Sequence, residues 1–438
     1  MVDRSNILEK YAAKNNSAFL THRMIMEEEE SGIEIREAYQ RDRDRIIHSR
    51  AFRRLMHKTQ IFNANKGDHY RNRLTHTLEV SQIARSIGKV LGLNDELIEA
   101  IALGHDLGHT PFGHIGERTL HRIISGREED ILVDDKIGFK HNFQGMHVVD
   151  NLETHSNQHT GMNLTLAVRE GILKHTKCKI KLLEKTEHGL QKITEDVKYD
   201  QCLNLKDIDT QAPSCTLEGQ VVAIADEIAQ CTHDLEDGIR AGIVKLSSIS
   251  KCALIEKVCR IAEIKVEELE LTVDIRNSII RKMVGYLIED VCKETRQRLE
   301  REYPGESYPN FTCATDTFKK EIVAFSDETL NDEKELADLT SKLIVMSQEI
   351  SQADSKAEYL IKKIFKAYYK HPQQLPDYIL NRYFFSKGEE LNRSLLEEKI
   401  PAMQSDIIFL RVICDHIAGM TDQFAAREYK RLFEPEYF

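Results

Sequence analysis

Three histidines, one aspartate and one glutamate fall within residues 105–117, in the stretch His105-Asp106-Leu107-Gly108-His109-Thr110-Pro111-Phe112-Gly113-His114-Ile115-Gly116-Glu117. His76 stands upstream and Asp226 far downstream. Imidazole and carboxylate together suit a borderline or hard divalent cation, and no cysteine joins them. If His76, the adjacent pair His105-Asp106 and Asp226 share one ion, the chemistry is metal-assisted hydrolysis and the question is which phosphate is cut.

Each member also has a plainer reading. A lone histidine such as His76 on an amphipathic stripe is commonly structural. Asp226 is embedded in Val221-Val222-Ala223-Ile224-Ala225-Asp226, and an unpaired charge there costs several kcal/mol to bury, so it needs either a metal or an arginine. His114 and Glu117 stand three apart and share a helical face. They form either an ordinary surface pair or a dyad in which the carboxylate orients the imidazole for acid–base work or for holding water. The case for chemistry rests on the set, a His, a His-Asp pair and an Asp in that order.

The elements that must position these residues are helical. Leu74, Leu78, Ile83, Ile87, Val90 and Leu91 recur at three- and four-residue spacing before Gly92, and Leu97 to Leu107 and Val221 to Ile228 repeat the pattern. The spacing predicts a helix over Leu97–His109, with His105 and Asp106 about 100° apart on it. Gly104 and Gly108 allow close approach of a partner, and Pro111 ends the helix before a new one starts near Phe112. Alternating patterns are scarce. The run CKIKLLEK from Cys178 fits a short strand or hairpin edge. Residues 154–162 read as a loop, 178–216 as an irregular insertion, and Pro304 and Pro309 break a long helix ending near Glu300. The expectation is an all-α protein with at most a minor β-hairpin. It divides into an N-terminal helical segment (1–60), a metal-bearing core (61–245) and a C-terminal helical region (246–438).

Bulk properties bound the partners. The chain has 438 residues and a formal net charge of −11, which argues against non-specific nucleic-acid binding as the main role without excluding a local basic pocket. Nine cysteines, from Cys178 to Cys414, include no C-x-x-C pair, so reduced thiols in a cytoplasmic compartment are expected. The N-terminus lacks a signal-peptide core, and no apolar run approaches the ~18 residues that span a bilayer. No membrane association is expected.

The set His76, His105-Asp106 and Asp226 resembles the HD phosphohydrolase superfamily. The surrounding motifs resemble, more narrowly, the deoxyguanosinetriphosphate triphosphohydrolase-like proteins. They are Arg43-Asp44-Arg45-Ile46-Ile47-His48-Ser49 with Ala51-Phe52-Arg53-Arg54-Leu55 and Lys58-Thr59-Gln60; HDLGHTPFGHIGE at 105–117; Lys140-His141-Asn142-Phe143-Gln144-Gly145; EGILKH at 170–175; LEGQVVAIADEIAQ at 217–230; HDLEDGIRAG at 233–242; and Ile417-Ala418-Gly419-Met420-Thr421-Asp422. The matches run from about residue 35 to 245 and resume near the C-terminus.

That resemblance implies a reaction: water attacks the α-phosphorus of a deoxynucleoside triphosphate, dGTP being the candidate, and releases the deoxynucleoside and inorganic tripolyphosphate. It implies His76, His105, Asp106 and Asp226 as metal ligands and His114 with Glu117 as the catalytic pair. His109 and His141 would line the triphosphate channel, Gln60 and Asp234 would hold the sugar 3′-hydroxyl, and Arg73 would meet phosphate. Lys174 reads either as a further phosphate contact or as a solvated helix lysine. The cofactor would be a divalent ion, Mn²⁺ or Mg²⁺ first, with Fe²⁺, Co²⁺, Ni²⁺ or Zn²⁺ compatible with the same donors. A homo-oligomer, a hexamer by analogy, and a regulatory dNTP or single-stranded DNA belong to the same expectation. Two departures bear on substrate preference. Gln230 stands where the family commonly has Tyr, and Gln423-Phe424 stands where it often has Arg-Tyr. Two rival readings remain at this point. One is an HD phosphohydrolase acting on a monophosphate, cyclic nucleotide or alarmone. The other is a nucleotide- or DNA-responsive regulatory module.

Overall fold

The computed structural model describes residues 8–26, 36–60, 70–133, 136–154, 160–186, 189–196, 198, 203–265, 273–305 and 308–435. The order of helices is α1 (Ala38–His48), α2 (Arg50–Arg54), α3 (Arg73–Leu91), α4 (Asp95–Gly104), α5 (His114–Ile124), α6 (His141–His147), α7 (Leu166–Lys174), α8 (Leu217–Arg240), α9 (Leu246–Ile249), α10 (Ala253–Ile261), α11 (Val273–Glu302), α12 (Asp327–Val345), α13 (Gln348–Lys370), α14 (Asp377–Ser386), α15 (Leu396–Gln404), α16 (Ile407–Ala418) and α17 (Asp422–Phe433). The strand expected at Cys178 is β1 (Lys179–Thr186), paired antiparallel with β2 (Gly189–Asp196). The chain is thus all-α with one hairpin, and the hairpin occupies much of the stretch read from sequence as irregular.

Local chemistry sets the ends of the site-bearing helices. Asn72 caps α3 by accepting from Thr75 N, and Gly92 stops it in the left-handed conformation at φ 68°. Asn94 caps α4 and Thr216 caps α8. Leu78 and Val90 on the α3 stripe remain exposed, so the buried face is narrower than the pattern suggested.

The expected helix over Leu97–His109 is shorter in the structure. α4 ends at Gly104, and His105 to His109 form successive turns, with Leu107 N donating to Gly104 O and His109 N to Asp106 O. Packing explains the early stop. A Cβ on Gly108 would lie 2.1 Å from both Gly145 N and His141 O, and one on Gly104 would lie 2.5 Å from Ile172 Cδ1. The turn is therefore pressed directly onto α6 and α7. Pro111 ends nothing. It belongs to the link into α5, where Phe112 and Gly113 have φ of 61° and 62°.

Two hydrophobic clusters form the interior. The first joins α3, α4, α7 and α8 with α10 to α12. The second joins α5 with α13 to α17. A break near residue 245 does not coincide with either, because α11 and α12 pack on α3 and α8 while α5 leaves the first group to pack on α13.

Asp422, at the N-terminus of α17, ties the two clusters together at the site. Its carboxylate accepts from Thr59 N at 2.8 Å, from Thr59 Oγ1, and from Phe112 N at 2.8 Å. His416 lies in the second cluster between the rings of Tyr368 and Tyr378. Burial pushes its imidazole down to about 4, against the pull of Glu428 and with help from Arg382.

Gly108→Ala is expected to lower stability by about 3 kcal/mol or more, because backbone rather than a flexible side chain must give way. Thermal denaturation checks this, and an unchanged midpoint contradicts the packing. His416 binds its proton more readily in the unfolded chain, whose ordinary value is near 6.5. Its contribution is complete above pH 6.5 and is lost as pH falls toward 4. His416→Phe should flatten the melting-temperature profile across that window.

Candidate metal centre

The carboxylates and imidazoles of α3, the turn after α4, and α8 converge. His76 Nε2 is 2.9 Å from Asp226 Oδ1, and His105 Nε2 is 3.4 Å from Asp106 Oδ1 and 3.8 Å from Asp226 Oδ1. The His105 Nδ1–H donates to Ala102 O at 2.7 Å, which leaves Nε2 as the bare nitrogen. That atom is buried without a hydrogen-bond partner among the described residues. A lone pair aimed between two carboxylates is unfavourable unless something positive lies among them. His76, His105 and Asp226 each present a donor atom within 4.8 Å of the others. These three fit a divalent cation, and Asp106 borders them 3.4 Å from His105 Nε2.

Asp106 sets the electrostatics. Burial pushes its carboxyl up, but His109, His105 and Arg73 together hold it well below the usual carboxylate range. Arg73 Nη1 donates to Asp106 Oδ2 at 2.8 Å, and His109 Nε2 donates to Oδ1 at 3.1 Å. Asp226 is likewise held down against burial by His76, His105 and His175. Both carboxylates are therefore ionised.

A second array adjoins the first. His109 and His141 stack with centroids 3.9 Å apart at 15°. Glu117 Oε2 is 2.6 Å from His141 Nδ1 but 3.7 Å from His114 Nδ1. The dyad expected from H-x-x-E spacing is thus looser than the contact that Glu117 makes with His141. His114 is 55% exposed while Glu117 is buried, so it is the imidazole open to a substrate. His141 Nε2 faces His175 Nε2 at 3.2 Å, and His175 Nδ1 donates to Ile172 O at 2.7 Å. Burial holds His109 well below its ordinary value, brings His141 down, and takes His175 down to about 3.

The remaining expected residues divide. The side-chain oxygen of Gln60 and Asp234 Oδ1 are buried acceptors without partners among the described residues. Burial, with Asp237 and Asp226 nearby, raises the Asp234 carboxyl well above its usual value. The carbonyl of Gln60 and the guanidinium of Arg73 both crowd Gly113, so these two residues border the start of α5. Lys174 stands apart. Its ammonium pairs with Glu170 at 2.8 Å and donates to Pro213 O at 3.1 Å, so its charge is committed to a structural link. Gln230, Gln423 and Phe424 are exposed.

Three residues gained a role that the motifs alone did not assign: His175, His233 and Glu79. His76 Nδ1 meets His233 Nδ1 at 3.2 Å, and His233 Nε2 meets Glu79 Oε2 at 2.9 Å. If His76 ligates through Nε2, its Nδ1–H donates to His233, whose Nε2–H then donates to Glu79. A signal was present in the spacing: His233 lies two helical turns after Asp226, and Glu79 lies three residues after His76.

The chain matches the HD domain over residues 73–230 and the phosphohydrolase-associated domain over residues 323–431. It is 36% identical over 407 residues to the deoxyguanosinetriphosphate triphosphohydrolase-like protein of Geobacter metallireducens, covering 91% of this chain and 89% of the relative. It is 36% identical over 403 residues to deoxyguanosinetriphosphate triphosphohydrolase-like protein 1 of Mesorhizobium japonicum, covering 91% and 89%. The Brucella ovis protein of the same description is 34% identical over 431 residues, covering 97% and 96%. No helix among the described residues is long and apolar enough to cross a membrane.

His233→Ala is expected to weaken divalent-metal binding by about 10- to 100-fold while leaving the far-ultraviolet spectrum unchanged. Calorimetric titration with Mn²⁺ reads this. Wild-type affinity in the variant removes His233 from the metal's support.

Proposed function

The chain belongs to the deoxyguanosinetriphosphate triphosphohydrolase-like family of HD phosphohydrolases, and on that premise we propose that it hydrolyses deoxynucleoside triphosphates to the deoxynucleoside and tripolyphosphate. The observation that carries this reading is the unpartnered Nε2 of His105 between two ionised carboxylates, beside an exposed imidazole backed by a buried glutamate. His76, His105, Asp106 and Asp226 would hold a divalent ion, Mn²⁺ or Mg²⁺ in this reading, which would supply Lewis-acid polarisation of a phosphoryl oxygen and activation of water.

The other groups supply binding and proton transfer. Arg73, fixed by Asp106, offers a buried guanidinium to phosphate oxygens. His109 already bonds Asp106 through Nε2, and its Nδ1 has no partner. An anion placed there draws a proton onto the ring and makes a charge-assisted bridge. His114 delivers a proton to the departing 5′-oxygen as the bond from that oxygen to the α-phosphorus breaks. Glu117 keeps its charge because His141, His114 and Lys140 outweigh the push of burial, so it holds the adjacent imidazoles in orientation. The unpartnered acceptors of Gln60 and Asp234 suit the hydrogen of a sugar 3′-hydroxyl. Lys174 has no part in this reading.

Purified protein incubated with each dNTP and Mn²⁺ or Mg²⁺ should yield deoxynucleoside and tripolyphosphate by anion-exchange chromatography. Release of pyrophosphate or orthophosphate overturns the reaction and favours another nucleotide substrate. His114→Ala should retain the metal and lose roughly 10²–10⁴ in turnover, whereas full turnover excludes that residue as the proton carrier.

A further inference from the structure

The histidines beside the metal centre do not balance their hydrogens. His175 Nδ1 lies 2.7 Å from Ile172 O, and a carbonyl only accepts, so His175 Nε2 carries a lone pair. His141 Nε2 faces that lone pair at 3.2 Å and must donate its N–H there. A neutral imidazole has one N–H, so His141 Nδ1 is left with a lone pair of its own. It lies 2.6 Å from Glu117 Oε2, an ionised oxygen that also only accepts. Two lone pairs at that separation repel unless a positive charge joins them. A second proton on His141 is one such charge, but burial works against it.

The mismatch extends to His109. Its Nε2–H donates to Asp106 Oδ1 at 3.1 Å, which leaves Nδ1 as a bare, buried lone pair without a partner among the described residues. The rings of His109 and His141 stack 3.9 Å apart, and His114 Nδ1 stands 3.7 Å from Glu117 Oε2. His109, His114, Glu117 and His141 each offer one ligand atom, and the four atoms lie within 4.8 Å of one another. A tetrahedral ion with bonds of about 2.0–2.1 Å needs its donors roughly 3.4 Å apart. Small side-chain rotations close that difference. Three of the donors are buried, on the turn after α4, on α5 and on α6, and exposed His114 closes the set from the solvent side.

We propose that His109, His114, Glu117 and His141 form a second metal site, which takes Zn²⁺ or a cation of the same borderline class. It adjoins the first centre and shares no ligand with it. Three imidazoles and one carboxylate suit zinc, and a nitrogen-rich set binds Zn²⁺ ahead of Mn²⁺, so Mn²⁺ fills the first centre alone. The ion supplies the positive charge that the lone pairs of His141 and His109 call for. It also ties down the ring of His114, so a filled second site stops hydrolysis. That consequence rests on the reaction proposed above, whereas the binding does not.

Equilibrium dialysis of the full chain against Zn²⁺, read by metal analysis, tests the site. Asp226→Asn, which disables the first centre, should still bind one Zn²⁺ per chain. Adding Glu117→Gln or His114→Ala to that variant should weaken the ion by more than the roughly tenfold that a lost supporting residue costs. His114 is exposed, so its change leaves the fold alone. Co²⁺ in Asp226→Asn should give the strong visible absorption of a four-coordinate ion. No bound Zn²⁺ in Asp226→Asn, or affinity unchanged by both added substitutions, overturns the site. In the wild type, tripolyphosphate release should fall roughly 10²-fold or more as the second equivalent of Zn²⁺ binds, and full turnover with two bound ions overturns the inhibitory role. Absence of tripolyphosphate release at every Zn²⁺ level rejects the reaction instead, and the dialysis result alone then decides the site.

Discussion

A buried carboxylate must be neutralised where it sits, and in this fold that requirement falls on Asp106. One oxygen is met by Arg73 from the first turn of α3, and the other by His109 from the same tight turn. Asp226 presents the same demand from α8 and is answered by His76. These partners satisfy much of the charge, yet His105 Nε2 is left without a hydrogen to accept. A cation bound among these donors would complete the balance. α3, the segment around α4, and α8 share one apolar cluster, and their polar side chains meet at one place.

The site is not confined to the segment that carries the ligands. Asp422 reaches from α17 to the backbone of Thr59 and Phe112 and so clamps two loops beside α5. Phe112 has a left-handed backbone that a bulky residue rarely adopts, and the surrounding bonds must hold it there. That strained link aims α5 so that His114 faces outward while Glu117 turns inward toward His141. The C-terminal helices thereby govern the geometry of a centre whose candidate ligands all precede residue 227.

Much of this was legible in the residues. Apolar spacing identified α3 and α8, and the Cys178 run located the hairpin edge. The exact end of α4 was not legible, because Gly104 and Gly108 stop the helix through contacts with Ile172, Gly145 and His141 that lie far away in sequence. The same limit applies to the partner of Glu117. Spacing of three pointed to His114, whereas the 2.6 Å contact comes from His141 across the interface of α5 and α6. Lys174 looked like a free cation beside a motif, but Glu170 takes it at one helical turn. The His233–Glu79 support lay within quoted motifs and became meaningful only once α3 and α8 were seen side by side.

Mn²⁺ titration followed by electron paramagnetic resonance reads the central balance of charge most directly. The account expects one tightly bound Mn²⁺ per chain, with the site abolished in Asp226→Asn and in His105→Ala while the helical spectrum is unchanged. Absence of saturable Mn²⁺ binding, or an equally tight site in both variants, would contradict the claim that these side chains enclose a single cation.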